Sequence, residues 1–194
     1  MTDSRDNKQA IISGALELFS KKGFDGTSTA EICERAGVTK PTMYHYFGSK
    51  EGLLDDILLI HYKSFLDNLS MAATLPEDIP LTFFRLAKVY FDNALRDEPF
   101  FRFRAGLTLR NGEDTAYISS KKYIEQEGKI ITDFFYTASQ HIGNIRGKET
   151  LCTISFIGTI NATISAYLQT GDEALVSDDT IYRLRQQFLY GIYS

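Results

Sequence analysis

The sequence predicts an all-α protein with a three-helix domain at its N-terminus and a larger helical domain after it. Apolar residues recur at helical spacing along the chain, and no segment alternates apolar and polar residues as a strand does. Glycines and prolines mark the breaks between the helical segments. These observations place the domain boundary after Gly48, so that the first domain covers residues 1–48 and the second covers residues 49–194.

The first helix is expected to end near Lys22. Apolar residues run from Ile11 to Phe19 at the spacing of a buried helical stripe. Gly23 can adopt the left-handed conformation that ends many helices, and Phe24 can then fold back onto the last turn.

Two short helices follow, joined by a tight turn. Ser28 and Glu31 have the spacing of a capping box, which predicts the start of the second helix near residue 29. Gly37 is suited to end that helix, and Thr39 is suited to cap the third. Pro41 falls in the first turn of the third helix, where no amide needs an intrahelical partner.

Longer helices are predicted beyond the boundary, at residues 49–73, 78–96, 99–110, 114–143, 148–169 and 178–193. Residues 151–168 are apolar enough to suggest a membrane span, but six serine, threonine and asparagine residues interrupt them. A buried helix of a soluble protein explains this segment better, so no membrane partner is expected.

The composition limits the classes of protein to which the chain can belong. With 43% hydrophobic and 24% charged residues, it is typical of a globular protein. Cys33 and Cys152 stand far apart and outside any spacing that binds zinc or carries out redox chemistry, so we expect reduced thiols, no metal and no cofactor. Residues 1–7 are polar and do not resemble a signal peptide, which predicts a cytoplasmic protein.

The charge balance argues against a protein that coats nucleic acid without specificity. The net charge is −4, and even the first 60 residues hold seven lysines and arginines against nine aspartates and glutamates. Any contact with DNA must therefore come from locally placed cations and from helix ends.

Residues 29–47 form a helix, a glycine turn and a second helix, which is the size of a DNA-binding helix-turn-helix. The positions expected to face inward are Ile32, Cys33, Ala36, Val38, Met43 and Phe47. Of the remaining residues, Lys40 can donate to guanine edges or phosphate, and Thr42 can contact a thymine methyl group. Lys50 adds a cation beside the free amides of the next helix, which predicts a phosphate clamp.

At these residues the chain resembles the tetracycline-repressor (TetR) family. The resemblance covers residues 9–58, with Cys33 as a departure at a position where the family usually has alanine. The positions that carry it are Ala15, Phe19, Gly23, Phe24, Thr27, Ser28, Ile32, Ala36, Gly37, Val38, Tyr44, His45, Tyr46, Phe47, Lys50 and Leu53. The resemblance implies an all-helical protein whose variable C-terminal part binds a ligand and forms the dimer. It also implies a repressor that leaves its operator when a small molecule binds.

Carried over by motif position, the DNA contacts would be Thr29, Lys40, Pro41, Thr42, Tyr44, His45, Tyr46 and Lys50. Met43 would belong to the core. Alternatives remain open, because a tyrosine-rich short helix can also be a packed face, and Tyr46 fits a core position as well as a contact. Taken alone, His45 would be an ordinary surface histidine.

Twenty of the 25 aromatic residues lie after residue 60, which suits a pocket for a hydrophobic or aromatic effector as well as an ordinary core. The residues predicted to line such a pocket are His61, Phe65, Tyr90, Phe103, Tyr123, Phe134 and Asn161. Arg102, Arg104 and Arg110 could meet an anionic effector, although a solvated face also explains them.

Two C-terminal helices have the features of a dimer interface. Gly158, Ala162 and Ser165 recur at helical spacing and allow close approach of another helix. The last helix adds an apolar stripe that contains Ile181, Leu184 and Phe188; packing within the same chain is the alternative explanation. A two-fold homodimer would bind a palindromic operator of double-stranded DNA.

The sequence therefore predicts a DNA-binding transcriptional regulator rather than an enzyme. The three histidines are separated by helical breaks, and no nucleophile motif, phosphate-binding glycine loop or metal-ligand spacing is present. A helical enzyme, or an interaction module that keeps the helix-turn-helix as a scaffold, remains the alternative.

Overall fold

A computed structural model describes residues 4–74, 78–110, 112–142 and 145–190 of the chain. These residues form helices and the turns between them, and they contain no strand, which confirms the all-α class. The α-helices are α1 Ser4–Lys22, α2 Thr29–Ala36, α3 Lys40–Phe47, α4 Lys50–Ile57, α5 Lys63–Ala72, α6 Ile79–Arg96, α7 Glu98–Leu107, α8 Thr115–Ser139, α9 Glu149–Thr170 and α10 Asp178–Tyr190. A π-helical turn, Leu58–Tyr62, joins α4 to α5, and a 3-10 turn, Glu173–Val176, precedes α10.

The predicted helices are present, with differences at their ends. The segment predicted as one helix at residues 49–73 contains the π-helical turn. The helix predicted at 99–110 ends at Leu107, and the helix predicted at 114–143 ends at Ser139. Gly143 and residues 191–193, which belonged to two predicted helices, lie outside the described residues.

The chain divides into two compact units, and the division differs from the predicted boundary at Gly48. Unit 1 contains the residues up to Ser64 together with Asp97–Tyr123, and unit 2 contains Phe65–Arg96 and the residues from Ile124 onward. The physical reason is that α1 is apolar on more than one side. Phe19 packs against Phe24 with ring centroids 5.2 Å apart, and it also packs against Phe103 of α7 at 6.0 Å.

The core of unit 1 joins α1, α4 and the π-helical turn to α7 and the start of α8. Ile11 and Leu53 are fully buried. The Tyr62 ring is stacked on Tyr123, with centroids 5.2 Å apart, and meets Phe100 edge-on at 5.5 Å. These contacts make the helix-turn-helix part of a larger core.

The core of unit 2 is mainly aromatic. Phe156 of α9 lies at its centre, and its ring centroid is 5.0 Å from Phe83, 6.0 Å from Tyr90 and 6.0 Å from Phe135. Phe188 of α10 lies against three of the same rings, the nearest of which is Phe135 at 5.3 Å. Edge-to-face aromatic pairs of this kind contribute about 0.5–1.5 kcal/mol each beyond their buried area.

Candidate nucleic-acid interface

Local hydrogen bonds fix the ends of α2 and α3. Ser28 Oγ accepts a hydrogen bond from the Glu31 amide at 3.2 Å, and a Glu31 carboxylate oxygen accepts one from the Ser28 amide at 2.8 Å. Gly37 is left-handed, with φ 66°, and ends α2. Thr39 then caps α3 by accepting from the Thr42 amide at 3.4 Å. These interactions set the angle between the two short helices.

The two helices bury one face. Ile32 and Met43 are fully buried, Cys33 is 5% exposed and Phe47 is 9% exposed, as expected for inward positions. Burial raises the pKa of the Cys33 thiol, so this cysteine behaves as a small core residue. Among the residues that the structure describes, no group of three or more His, Cys, Asp and Glu side chains could hold a metal ion.

We call α3 (Lys40–Phe47) the recognition helix. Its face opposite Met43 and Phe47 is polar and accessible to solvent. Four of the predicted DNA contacts are exposed: Lys40, Pro41, Tyr44 and His45. Tyr44 has 45% of its surface exposed, although it is a large aromatic residue.

The other predicted contacts are half-buried. Thr29 lies in the first turn of α2, and the Thr42 hydroxyl lies 2.9 Å from that of Thr39. The Tyr46 ring lies between those of His45 and Phe47, at 5.5 Å and 6.1 Å. Tyr46 is therefore partly packed and partly accessible, and its contact with DNA stays a prediction.

Lys50 is placed differently from the sequence prediction. Its Nζ donates to the carbonyl oxygens of Phe24 and Thr27, each at 2.9 Å, and lies 4.1 Å from the centroid of the Phe24 ring. The lysine therefore holds the loop between α1 and α2 against the start of α4, in place of the predicted phosphate clamp. The sequence placed Lys50 beside a helix end, but it contained no sign of a loop 23 residues away.

Ion pairs brace the helix-turn-helix against α1. Lys22 pairs with Glu31 and Arg35 pairs with Glu17. The Lys22 ammonium, followed by the Ser28 amide and hydroxyl, lowers the pKa of Glu31 to about 2. The carboxylate that completes the capping box therefore stays ionised over the physiological range.

The seven predicted pocket residues are divided between the two units. Unit 1 holds His61, Phe103 and Tyr123, and His61 Nδ1 lies 2.5 Å from an oxygen of Asp97, the residue that caps α7. Phe103 and Tyr123 pack against neighbouring rings within the same unit.

Unit 2 holds the other four: Phe65, Tyr90, Phe134 and Asn161. Phe65 and Tyr90 pack edge to face at 5.1 Å, and both are almost completely buried. Phe134 is also buried, and Asn161 is half-buried on α9. Phe134 lies at the edge of a cavity of about 290 Å³ between α5 and α8.

The sequence did not lead us to predict the burial of two ionisable side chains. Glu127 of α8 is 4% exposed and accepts a hydrogen bond from the Tyr90 hydroxyl at 2.8 Å. Arg104 of α7 is 2% exposed, so the solvated face that we considered for it is wrong. The signal was available for Arg104, because it follows Phe100 by one helical turn and shares its buried face.

The predicted dimer residues separate into two groups. Gly158 and Ala162 of α9 are exposed and Ser165 is half-buried, so this side of α9 is open. Ile181 of α10 is fully buried within unit 2, and Phe188 packs in the aromatic core. The structure therefore corrects the interface assignment of Ile181 in favour of packing within the chain, whereas Phe188 is half-buried and its place in an interface stays a prediction.

Leu184 of α10 is half-buried, so part of its side chain remains available to a partner subunit.

The surface of α9 is more apolar than the sequence led us to expect. Within the described residues, α9 is the one helix long and apolar enough to cross a membrane, and 22% of its most apolar window is buried. Leu151 and Ile154 are 61% and 62% exposed. The expectation of a buried helix therefore does not hold for the single chain.

The comparison with protein families identifies the helix-turn-helix. Residues 11–57 match the model described as bacterial regulatory proteins, tetR family. Over 81 residues the chain is 41% identical to the HTH-type transcriptional regulator RutR of Escherichia coli K12, and the match covers 38% of each protein. Over 98 residues it is 35% identical to the HTH-type transcriptional regulator YuxN of Bacillus subtilis, covering 50% of this chain and 33% of YuxN. The matches thus span less than half of these relatives.

Solved structures share the fold over almost the whole chain. The fatty acid degradation regulator FadR from Bacillus halodurans has a TM-score of 0.75 at 16% identity, covering 96% of both chains. A TetR-family transcriptional regulator from Bordetella parapertussis has a TM-score of 0.77 at 22% identity, covering 95% of both chains. FadR from Bacillus subtilis, solved in complex with stearoyl-CoA, has a TM-score of 0.66 at 17% identity, covering 95% of this chain and 99% of that one. Residues 11–57 of this chain are therefore similar to the tetR family of bacterial regulatory proteins, and the chain shares the fold of a solved TetR-family regulator over almost its whole length.

Proposed function

We propose that the protein is a sequence-specific DNA-binding transcriptional regulator of the bacterial cytoplasm. The observation that carries the proposal is the two-sided recognition helix, in which Met43 and Phe47 are buried while Lys40, Tyr44 and His45 are exposed. An apolar side fixed in a core and a polar side open to solvent are what insertion into a major groove requires.

The exposed side chains have the chemistry to distinguish bases and to bind phosphates. Lys40 can donate to guanine or phosphate, and Thr42 can contact a thymine methyl group or donate from its hydroxyl. Pro41, Tyr44, His45 and Tyr46 complete the contact surface on the recognition helix. We include Thr29, in the first turn of α2, as a contact to the DNA phosphates, because helix N-termini attract phosphate. We leave Lys50 out of the contact set, since its ammonium is bound to two carbonyl oxygens.

We propose that the protein acts as a homodimer through α9, and that α10 contributes through Leu184. The exposed face of α9 combines large apolar side chains, such as Ile154, with the small residues Gly158, Ala162 and Ser165. This combination allows two helices to approach closely while they remove apolar surface from water. A two-fold dimer places its recognition helices about 34 Å or somewhat more apart and therefore binds a palindromic operator.

We further propose that the protein is a repressor and that a small apolar effector releases it from the operator. The support is the aromatic C-terminal part together with the fold shared with a regulator that was solved in complex with stearoyl-CoA. In unit 2, Tyr90 and Asn161 are the polar residues among the predicted lining, beside Phe65 and Phe134. A few polar groups set among aromatic ones is the usual composition of such sites.

DNA binding is tested by capturing genomic fragments with the full chain and measuring affinity for the enriched sequence. Lys40→Ala and Thr42→Ala are expected to lower affinity by about 1–3 kcal/mol each and to relax base preference at one position of each half-site. Lys129→Ala is the control, because this lysine is 72% exposed in its side chain and lies on α8. Capture without a preferred sequence, or unchanged affinity in both variants, would overturn the proposal.

The dimer interface is tested by sedimentation of Ile154→Asp beside Ile118→Asp. The two isoleucines are matched, with 62% and 57% of their surfaces exposed on α9 and α8. A buried carboxylate in an apolar interface is costly, so the first variant is expected to dissociate to monomer while the second stays dimeric. Equal sedimentation of both variants at the wild-type value would exclude α9 from the interface.

A further inference from the structure

A cavity in unit 1 is lined by Phe103, one of the seven residues predicted for the effector pocket, and by Arg102 and Arg110, two of the arginines considered for an anionic effector. It has a volume of about 210 Å³ and lies between the last turn of α1, around Gly23, and α7, around Gly106. Ala116 of α8 also lines it. We call it the α1–α7 pocket.

The pocket has an apolar floor and a cationic rim. Phe19, Phe24 and Phe103 are the aromatic residues of the lining, and each is at least 95% buried, so only the edges of their rings reach the cavity. The four charged residues that line it are all basic: Lys21, Lys22, Arg102 and Arg110. Among the described residues, no carboxylate belongs to the lining. This arrangement is unusual in a chain whose net charge is −4.

Ion pairs outside the pocket hold the rim in place. Arg102 Nε donates to Glu98 at 2.7 Å, and Arg110 Nη1 donates to Asp114 at 2.8 Å. A Cβ added to Gly23 would lie 2.5 Å from Arg110 Nη2, so this guanidinium rests directly on the glycine backbone. An arginine held by one carboxylate keeps further N–H groups for a second anion, because the guanidinium has five donors.

We propose that the α1–α7 pocket binds a small organic anion with an apolar body, of the class of single-ring aromatic carboxylates and phosphate esters. The apolar body would pack on the phenylalanine floor, and the anionic group would take hydrogen bonds from the rim. At about 210 Å³ the pocket is smaller than the roughly 300–1,000 Å³ of pockets for drug-sized molecules, which limits its ligand to a single ring. The claim of ligand binding does not depend on the proposed DNA binding.

The position of the pocket gives its occupant a direct effect on the helix-turn-helix. The α1 helix packs against α2, α3 and α4 as well as α7. A ligand between α1 and α7 favours one position of α1 over another. If DNA binding favours the other position, the affinity for DNA falls by the ratio of the ligand's affinities for the two positions. This second step does rest on the proposed DNA binding.

Binding is tested by titrating the full chain with benzoate and phenyl phosphate, and with benzyl alcohol as a neutral molecule of similar shape. Hydrogen bonds to charged groups are strong enough that both anions are expected to bind about tenfold or more tighter than the alcohol. Equal affinities, or no binding of either anion, would overturn the proposal.

Leucine substitutions then locate the site. Gly106 lines the pocket, and a Cβ at this position meets no atom within 4 Å, so a leucine is tolerated there and adds its side chain beside the pocket. Gly128→Leu is the matched control, since Gly128 is also helical and also open but lies in unit 2. Leucine is a better helix former than glycine, so both variants are expected to fold. Loss of anion binding only in Gly106→Leu supports the site, and unchanged binding in that variant refutes it.

The regulatory step has its own measurement, which is the operator affinity of the wild-type protein with and without phenyl phosphate. We expect a change of about fivefold or more, the lower end of the usual coupling between sites, and we expect it to disappear in Gly106→Leu. If the anion binds and the operator affinity stays constant, the regulatory step is wrong while the site stands. If no operator is found at all, the proposed function fails and the binding result is unaffected.

Discussion

Replacing Lys50 by methionine separates the role that the structure gives this residue from the role that its position in the sequence suggests. Methionine keeps an unbranched apolar stem and removes the ammonium group, which donates to the carbonyls of Phe24 and Thr27 and lies over the Phe24 ring. The substitution therefore removes the link between the α1–α2 loop and α4 without leaving a large cavity.

The magnitude follows from the contacts that are lost. Hydrogen bonds from a charged donor contribute about 1.5–3 kcal/mol each, and a partly exposed cation–π contact contributes about 0.5–1 kcal/mol. The contacts share one nitrogen atom and are not additive, and Lys50 is only half-buried, which reduces them further. We expect the free energy of unfolding of Lys50→Met to fall by about 2–3 kcal/mol.

Urea unfolding and the salt dependence of operator binding together test this reasoning, with Lys40→Met as the control. A lost phosphate contact lowers the slope of log affinity against log salt concentration by about 0.9. We expect that change in slope for Lys40→Met, with stability near the wild-type value, because Lys40 is exposed. For Lys50→Met we expect the loss of stability and an unchanged slope. Wild-type stability combined with a reduced slope in Lys50→Met would refute our placement of the residue and restore the phosphate clamp.

Three further predictions concern single interactions. Thr39→Ala removes the cap of the recognition helix and is expected to lower the unfolding free energy by about 0.5–2 kcal/mol in urea titrations; an unchanged midpoint would contradict this role. Lys22 and the α2 cap lower the pKa of Glu31 to about 2. The ionised carboxylate therefore makes its full contribution to folding stability above its ordinary pKa of 4.5, and this contribution is lost as the pH falls towards 2. Thermal melts should therefore show a steeper loss of stability between pH 5 and pH 2 in the wild type than in Glu31→Gln, and parallel curves would count against the lowered pKa. Tyr90→Phe removes the hydroxyl that donates to the buried Glu127 and should lower the free energy of unfolding by about 1–3 kcal/mol in chemical unfolding; an unchanged free energy would show that the bond is not formed.

The helix-turn-helix was predictable because its determinants are local. A capping box needs Ser28 and Glu31 three residues apart, and a helix stop needs a glycine such as Gly37 that tolerates a positive φ. The buried face of the recognition helix follows from the four-residue spacing of Met43 and Phe47. All of these features lie within one or two helical turns, so the sequence determines them without knowledge of the rest of the fold.

The parts of the site that were not predictable depend on residues far apart in the chain. Lys50 meets carbonyls 23 and 26 positions away, and nothing in its neighbourhood distinguishes that arrangement from a phosphate contact. Ile181 belongs to an apolar stripe that suits a partner subunit and the chain's own core equally well. Amphipathicity identifies the side of a helix that is buried, but it does not identify the surface that covers it.

The division into units also changes how signals could pass to the recognition helix. A boundary at Gly48 would separate the DNA-binding helices from α7 and would require a signal to cross an interface between domains. In the structure, Phe19 of α1 and Phe103 of α7 share one core, so α7 and α1 belong to the same compact unit. Protein cores are close-packed and resist the opening of gaps, so a displacement of α7 must be accommodated by α1 or by repacking of their shared rings. Substituting Phe103 would therefore alter operator affinity, even though this residue is far in sequence from the recognition helix. A small-to-large change at Gly106, where open space is available, would leave operator affinity unchanged in the absence of ligand.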